Sequence, residues 1–321
     1  MGSRSKTIFQ KMTSSPLLSI LVVSYHVKDL VLDCLGSIYE TVTNIPFEVI
    51  EVDNASSDGT PEAIREKFPQ CQLIVNERNR GFAFANNQGF EKAKGEIILL
   101  LNPDTKVLPG SIEKMYRFLE ENPQAGAVSC RILYPDRRLQ KSISRFPSVT
   151  ENLLLAFYLQ SLFLAHWKQK TYYRDQPFEI DVPLGACIML RKSALEGEML
   201  FNPQFFIYAE EADLAFRLKQ KGYRIFFLPQ AEILHYSEQS TKQNKIPMFL
   251  ELQKSKLFFY KLHYPPGKAK ILGWSLWLCL FSRWVTGILF LPIWGKMRMQ
   301  LFQAGIFHFP KLWRNVWKKT K

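Results

Sequence analysis

The chain has 321 residues, enough for one ample core or for a catalytic domain with an appendage, and 47% hydrophobic content marks it as a folded protein. Its net charge of +13 is confined to one end. Residues 242–321 hold 15 of the 42 bases and one of the 29 acids, Glu251, so the remainder is close to neutral and the spread of bases expected of a nucleic-acid groove is lacking. Five widely spaced cysteines without a C-x-x-C pair argue against zinc and a disulfide framework, and fit a reducing compartment.

Residues 1–16 carry charges and hydroxyls but no apolar run of a secretory signal, and read as a loose arm. From residue 18 strand and helix patterns alternate: "LSILVVSY", a helix over 28–42, "FEVIEVD", a helix from Thr60-Pro61, "QLIVN", and a helix bracketed by Gly81 and Gly95. The strand "EIILLL" follows, then a helix that Pro109 opens and Asn122-Pro123 closes, then "AGAVSCRIL". Short, nearly all-apolar strands separated by helices predict an α/β fold with a mostly parallel, Rossmann-like sheet covered on both faces. Past Pro147 come an apolar stretch over 151–167 too short to span a bilayer, a strand "ACIMLRK", a helix "EEADLAFRLKQKG" closed by Gly222, and two strands, "YRIFFLP" and "AEILH". A basic, aromatic, acid-poor region begins near residue 241.

In such sheets ligands bind beyond the carboxyl ends of the strands. Three polar loops lie there: "VDNASSDGT" after the second strand, "NERNRGFAFANN" after the third, and Asn102-Pro103-Asp104 after the fourth. The first alone would read as an Asx-rich turn capping the next helix. Neither G-x-G-x-x-G after the first strand nor G-x-x-x-x-G-K-[ST] occurs, so neither a dinucleotide turn nor a P-loop is supported. A nucleotide would need another grip. Asp53 suits acceptance of a base N–H, and Asp104 suits a hard divalent cation held against a diphosphate.

The segments "SILVVSYH", "VIEVDNASSDGT", "NRGFAFANNQGF", "ILLLNPDTKVLPGSI", "PLGACIMLRKSAL", "FFIYAEEADLAFRLKQKGY" and "ILHYSEQST", in that order over 18–241, resemble the family-2 glycosyltransferases of GT-A fold, and most closely their rhamnosyltransferase-like branch in bacterial surface polysaccharide synthesis. The resemblance implies a GT-A domain over 17–240, with a nucleotide-binding half (17–135) and an acceptor and catalytic-base half (136–240). It implies that Ser24, Tyr25, Asp53, Asn54 and Arg80 meet the nucleotide. Asn102-Pro103-Asp104 stands for the Asp-x-Asp metal motif with Asn first, and His235 supplies a further metal or phosphate contact. The family's base is the Asp of a Glu-Asp pair. Here Glu210-Glu211-Ala212-Asp213 puts Glu211 in that position, one methylene longer, where an acidic first helical turn is the plainer reading of the residues alone. Gly185 and Ala186 would face the sugar or acceptor, with Glu210 and Asp213 beside them.

The function implied is inverting, metal-dependent transfer from a nucleoside-diphosphate sugar (dTDP or UDP, with rhamnose the leading sugar) to a glycan or polyprenyl-linked acceptor. The cofactor is Mg²⁺ or Mn²⁺, with a His ligand tilting toward Mn²⁺. The rival readings are an inactive nucleotide-sugar-binding scaffold and a sugar nucleotidyltransferase; the latter needs a glycine-rich loop after the first strand, where "SYHVKD" has none.

The region 241–321 holds six of seven tryptophans. Its stretch 271–294 is long enough to span, yet Arg283 lies at its middle and bases flank both ends, so helices lying in the interface against anionic lipid through 268–321 are expected. That would place the protein on the cytoplasmic face of the inner membrane, peripheral or monotopic. The alternative is helices packed on the catalytic domain or on a second copy, giving a homodimer.

Overall fold

The computed structural model describes residues 16–159, 174–237, 245–289 and 296–318. The arm up to residue 15, the second half of the 151–167 apolar stretch, most of "SEQST" and Trp294 lie outside the described residues. The chain divides into two compact units, one comprising Met1–Ser144, Asp175–Gln204 and Glu210–Ser240, the other Arg145–Arg174, Phe205–Ala209 and Thr241–Lys321.

The first unit is built on a nine-stranded sheet. In chain order it contains β1 (Leu18–Ser24), α1 (Lys28–Thr41), β2 (Phe47–Asp53), α2 (Thr60–Lys67), β3 (Gln72–Val75), α3 (Phe82–Lys92), β4 (Ile97–Leu101) and β5 (Thr105–Val107). There follow α4 (Ser111–Glu121), β6 (Ala125–Leu133) and β7 (Ile143–Ser144). Strands β1 to β4 pair in parallel in the order β3-β2-β1-β4, so the strand order reverses at β1 and the crevice for a ligand opens beyond its carboxyl end. β1 and β4 are apolar almost throughout because they are central. All five residues of Ile97–Leu101 are at most 4% exposed, and each such large side chain contributes roughly 1.5–3 kcal/mol on burial. Gly95 lets β4 enter beside β1: a side chain there would meet the Ser19 backbone N at 2.6 Å.

Beyond β4 the pairing is mixed. β10 (Cys187–Arg191) is antiparallel to both β4 and β6, and β11 (Arg224–His235) runs parallel to β6 and antiparallel to β5. The short β8 (Phe178–Glu179) pairs with β11, and β9 (Val182–Pro183) pairs with β7. The two strands expected in 223–235 are one strand, whose register slips between Leu228 and Glu232, around Pro229. A proline has no N–H for the ladder, so strands carry it at such irregularities. α5 (Val149–Ala156) lies in the second unit, while α6 (Glu210–Gln220) packs on the sheet and turns through Gly222, at φ +88°, into β11.

The second unit joins α5 to α7 (Lys245–His263), α8 (Pro266–Leu289) and α9 (Lys296–Trp317). Among the described residues α8 is one helix long and apolar enough to cross a membrane. It is tied to α5 by polar groups: Asn152 Nδ2 donates to Ser275 Oγ at 3.0 Å, and the Ser282 hydroxyl donates to the Ala156 carbonyl. The Arg283 guanidinium, expected as an awkward charge in an apolar helix, sits 5.1 Å from the Tyr158 ring centroid and 3.4 Å from the Leu155 carbonyl oxygen. Gly273 admits the Trp313 ring of α9, which a side chain would strike at 2.2 Å. Between α8 and α9 lies a cavity of about 660 Å³, lined by Trp274, Trp277, Phe309, Trp313 and Trp317 and edged by Arg314 and Lys318. Trp274, Ile271, Ile288, Leu289 and Phe307 are exposed.

Candidate active site

β1 and β2 end in register, Ser24 opposite Asp53, and the first polar cluster forms at that edge. Asp53 is fully buried: Oδ1 accepts the Ser56 N–H at 2.8 Å, and Ser24 Oγ lies 3.3 Å from Oδ2. Asn54 pins the loop after β2 to the loop after β3. Its Nδ2 donates to Asn79 Oδ1 at 2.9 Å and to the Gly81 carbonyl at 3.3 Å, while its Oδ1 accepts from Asn76 Nδ2 at 3.2 Å and Arg80 N at 3.1 Å. Asn54 therefore shapes the wall. Arg80 is left exposed on that wall, its guanidinium 3.4 Å from the Phe84 ring centroid. Tyr25 is half-buried, with its ring centroid 4.2 Å from that of His26. Asp58 meets the plainer reading of its loop. It makes an Asx turn at the entry to α2, accepting from Thr60 N at 3.2 Å ahead of the Gly59 N-cap, and takes Lys28 N from the start of α1.

The second cluster forms where β4 and β11 end and β10 begins. Asn102 N donates to the Ala186 carbonyl at 3.0 Å, which sets Gly185-Ala186 beside the Asn102–Asp104 turn, and a side chain added at Gly185 would meet open space. Asp104 Oδ1 lies 3.2 Å from His235 Nε2, and Asn102 Nδ2 lies 3.5 Å from the same nitrogen. The Tyr236 N–H fixes the Asp104 carbonyl at 2.9 Å. His235 Nδ1 is 3.0 Å from Gln140 Oε1. With that oxygen as acceptor, Nδ1 carries the hydrogen and the Nε2 lone pair and an Asp104 oxygen are free to share a cation; in the other tautomer Nε2 donates to Asp104 directly.

The donor set of carboxylate, imidazole and amide suits Mg²⁺ or Mn²⁺. Among the described residues no group of three or more His, Cys, Asp or Glu could hold a metal. An ion at this place would need its remaining ligands from phosphate oxygens and water.

The third group lies on the first turn of α6. The helix packs against β9 and β11 and leads through the Gly222 turn into β11. Glu210 is buried, and its Oε2 has no hydrogen-bond partner among the described residues. Burial, then the neighbouring Glu211 and Asp213, pushes its carboxyl well above the ordinary range. Glu211 is half-buried. Asp213, 1% exposed, is ion-paired with Arg217 Nε at 2.9 Å, and Arg217 in turn donates to the Met199 and Leu200 carbonyls. Asp213 thereby ties α6 to the 198–200 loop.

Sequence reasoning missed three contributors. Gln140 orients His235 across 95 positions. Cys34, on α1, lies 3.6 Å from the Asn102 carbonyl and 3.5 Å from Thr105 Oγ1; burial lifts its thiol to about 12, so it packs the turn without reactivity. Glu51 lies beneath Asp53, and its one signal was a charge within the apolar run "VIEV".

A switch-point crevice with a carboxylate after β2, an acid-histidine pair after β4 and β11, and an acidic helix start define a GT-A glycosyltransferase. The description Glycosyl transferase family 2 matches residues 19–197, more than half of the chain, and the chain belongs to that family. It is 28% identical over 252 residues to the N-acetylglucosaminyl-diphospho-decaprenol L-rhamnosyltransferase of Mycobacterium tuberculosis, covering 73% of this chain and 81% of the relative. Two solved structures share the fold. One is mannosyltransferase PcManGT from Pyrobaculum calidifontis in complex with GDP-Man and Mn²⁺ (TM-score 0.57, 19% identity, 96% of this chain and 89% of that one). The other is GalNAc-T7 with UDP, GalNAc and Mn²⁺ (TM-score 0.59, 14% identity, 92% and 55%).

Proposed function

We propose that the protein inverts configuration at the anomeric carbon as it transfers a sugar, with rhamnose the leading candidate, from a dTDP- or UDP-sugar to a glycan or polyprenyl-diphosphate-linked acceptor. The observation that carries this reading is the pairing of Asp104 with His235 at the edge where Asp53 ends the neighbouring half of the sheet. The mycobacterial relative, whose name specifies a decaprenol-linked acceptor and rhamnosyl transfer, supports the substrate class. The Mn²⁺ in both structural neighbours supports a divalent ion.

Asp53, with Ser24 and Tyr25 beside it, receives the base, and Arg80 approaches the base or phosphates from the adjoining loop. Asp104 and His235 would hold the ion, with Asn102 alongside, and Gln140 keeps the His235 lone pair turned inward. When bound, the ion supplies Lewis-acid stabilisation of the departing diphosphate. Glu211 takes the proton from the acceptor hydroxyl as that oxygen attacks, while the open space at Gly185 admits the sugar or acceptor. Burial holds the Glu210 carboxyl well above the ordinary range and Asp213 is paired with Arg217, which lessens the negative charge beside Glu211.

The helical unit suits an acceptor delivered from a membrane. Its exposed tryptophan and aliphatic side chains lie among bases on a chain end nearly free of acids, the composition of a surface that rests on anionic headgroups. This composition and the lipid-linked acceptor in the relative's name support a protein acting at the cytoplasmic face of the inner membrane. A thermal-shift screen of nucleotide sugars, with and without Mg²⁺ or Mn²⁺, tests the donor assignment. A metal-dependent rise with dTDP- or UDP-sugars and opposite anomeric configuration in donor and product are the expected results; retained configuration would refute the mechanism.

A further inference from the structure

We propose that Glu51 positions the donor site from beneath, using the Ser24 hydroxyl to set the Asp53 oxygen that meets the base. This rests on the reading of Asp53 given above. β2 is flanked by β1 and β3 and is buried from Val49 to Asp53, a setting in which apolar residues are the rule. Glu51 breaks that rule while fully buried. Its Oε1 stands 2.5 Å from Ser24 Oγ, and its Oε2 has no hydrogen-bond partner among the described residues. An ionised carboxylate so placed lacks the donors that would offset its desolvation.

The surrounding groups do not supply that compensation. On its own strand the ionisable neighbour is Asp53, an acid; β1 contributes Ser24. Cys71, at the entry to β3, is itself pushed to about 12 by burial and by Glu51, and Tyr39 of α1 beside it is raised by burial and by Cys71. None of the groups acting on Glu51 is a cation. Burial, with a further push from Asp53, lifts the Glu51 carboxyl to about 8.

Ser24 has one hydrogen to give. While Glu51 is protonated it donates to Ser24 Oγ, and the serine hydrogen is free for Asp53 Oδ2, 3.3 Å away. When Glu51 ionises, the serine hydrogen turns to it, Asp53 loses that donor, and a second negative charge stands beside the base site. Neutral Glu51 thus orders a one-way chain from Glu51 through Ser24 to Asp53. Glutamine at position 51 would preserve its direction, because its amide N–H donates as the protonated acid does.

The test is calorimetric binding of dTDP and of UDP from pH 6 to 9, at fixed Mn²⁺, to the full chain and to the Glu51→Gln, Ser24→Ala and Asp53→Asn variants. The full chain is expected to bind five- to tenfold more weakly above pH 8 than at pH 6.5, whereas Glu51→Gln holds its low-pH affinity across the range. In turnover the effect should fall on donor KM. A Glu51→Gln profile that keeps the parent inflection, or a kcat loss at fixed KM, would overturn the proposal. If that variant does not fold, carbon-13 observation of the glutamate carboxyls in the parent protein decides: a resonance absent from Glu51→Val and titrating above pH 7 supports it, and ionisation of every glutamate below pH 6 refutes it. Undiminished binding by Asp53→Asn would instead remove the base-contact role of Asp53, whatever the Glu51 carboxyl does.

Discussion

In the sheet unit the carboxylates of Asp53, Asp58, Asp104 and Asp213 are each engaged by a named neighbour, respectively Ser56, Thr60, His235 and Arg217. In the chain region that forms most of the helical unit, 15 bases stand against a single acid, and large aromatic side chains are exposed. Where geometry must be kept to a fraction of an ångström for chemistry, charge is fixed by hydrogen bonds. Where a broad anionic surface would be met, charge is spread over many side chains. Substitutions in the two units should therefore fail differently, abruptly in the first and gradually in the second.

The largest expected effect is at Asp104. Asp104→Ala removes the one carboxylate of the proposed metal shell, and turnover should fall by roughly 10³-fold or more with Mn²⁺ dependence lost, as a coupled transfer assay would read. Glu211→Gln should lower kcat by ~10²–10⁴-fold while sparing donor affinity, and retained turnover would remove Glu211 from the role of base. Gln140→Leu leaves the His235 ring free to turn; metal affinity should weaken by ~10–100-fold, measured by the Mn²⁺ concentration for half-maximal rate. The smallest effect is in the other unit. Arg314→Ala should cost about 1 kcal/mol of binding to anionic vesicles, about fivefold in a sedimentation assay, without altering transfer to a soluble acceptor. Equal sensitivity of that soluble reaction to both units would erase the contrast.

How much of this was legible depended on whether the signal was local. "EIILLL" reads as a buried central strand because five apolar residues leave no polar face, and the structure buries all five. Asp53 and Asp104 could be singled out because one ends β2 and the other lies three residues past β4. β11 read as two strands because Pro229 looks like a stop, whereas the sheet absorbs it as a slip in register. β5, three residues long, is too short for a periodic signal and exists by pairing with β11. Gln140, Cys34 and Glu51 were invisible as site residues because their meaning lies in partners 95, 68 and 27 positions away. Arg283 shows the same limit: counted along the helix it is an unplaced charge, and in the fold its guanidinium lies 5.1 Å from the Tyr158 ring centroid.

The central claim is that the Asp53 cluster and the Asp104–His235 cluster grip one ligand. Titration calorimetry of Mn²⁺ into the full chain, with and without saturating dTDP or UDP, tests it most directly, since two sites sharing a ligand must show coupled affinities. The account predicts Mn²⁺ binding at least tenfold tighter with nucleotide present, and loss of that coupling in both Asp53→Asn and Asp104→Ala. Equal Mn²⁺ affinity with and without nucleotide would contradict it.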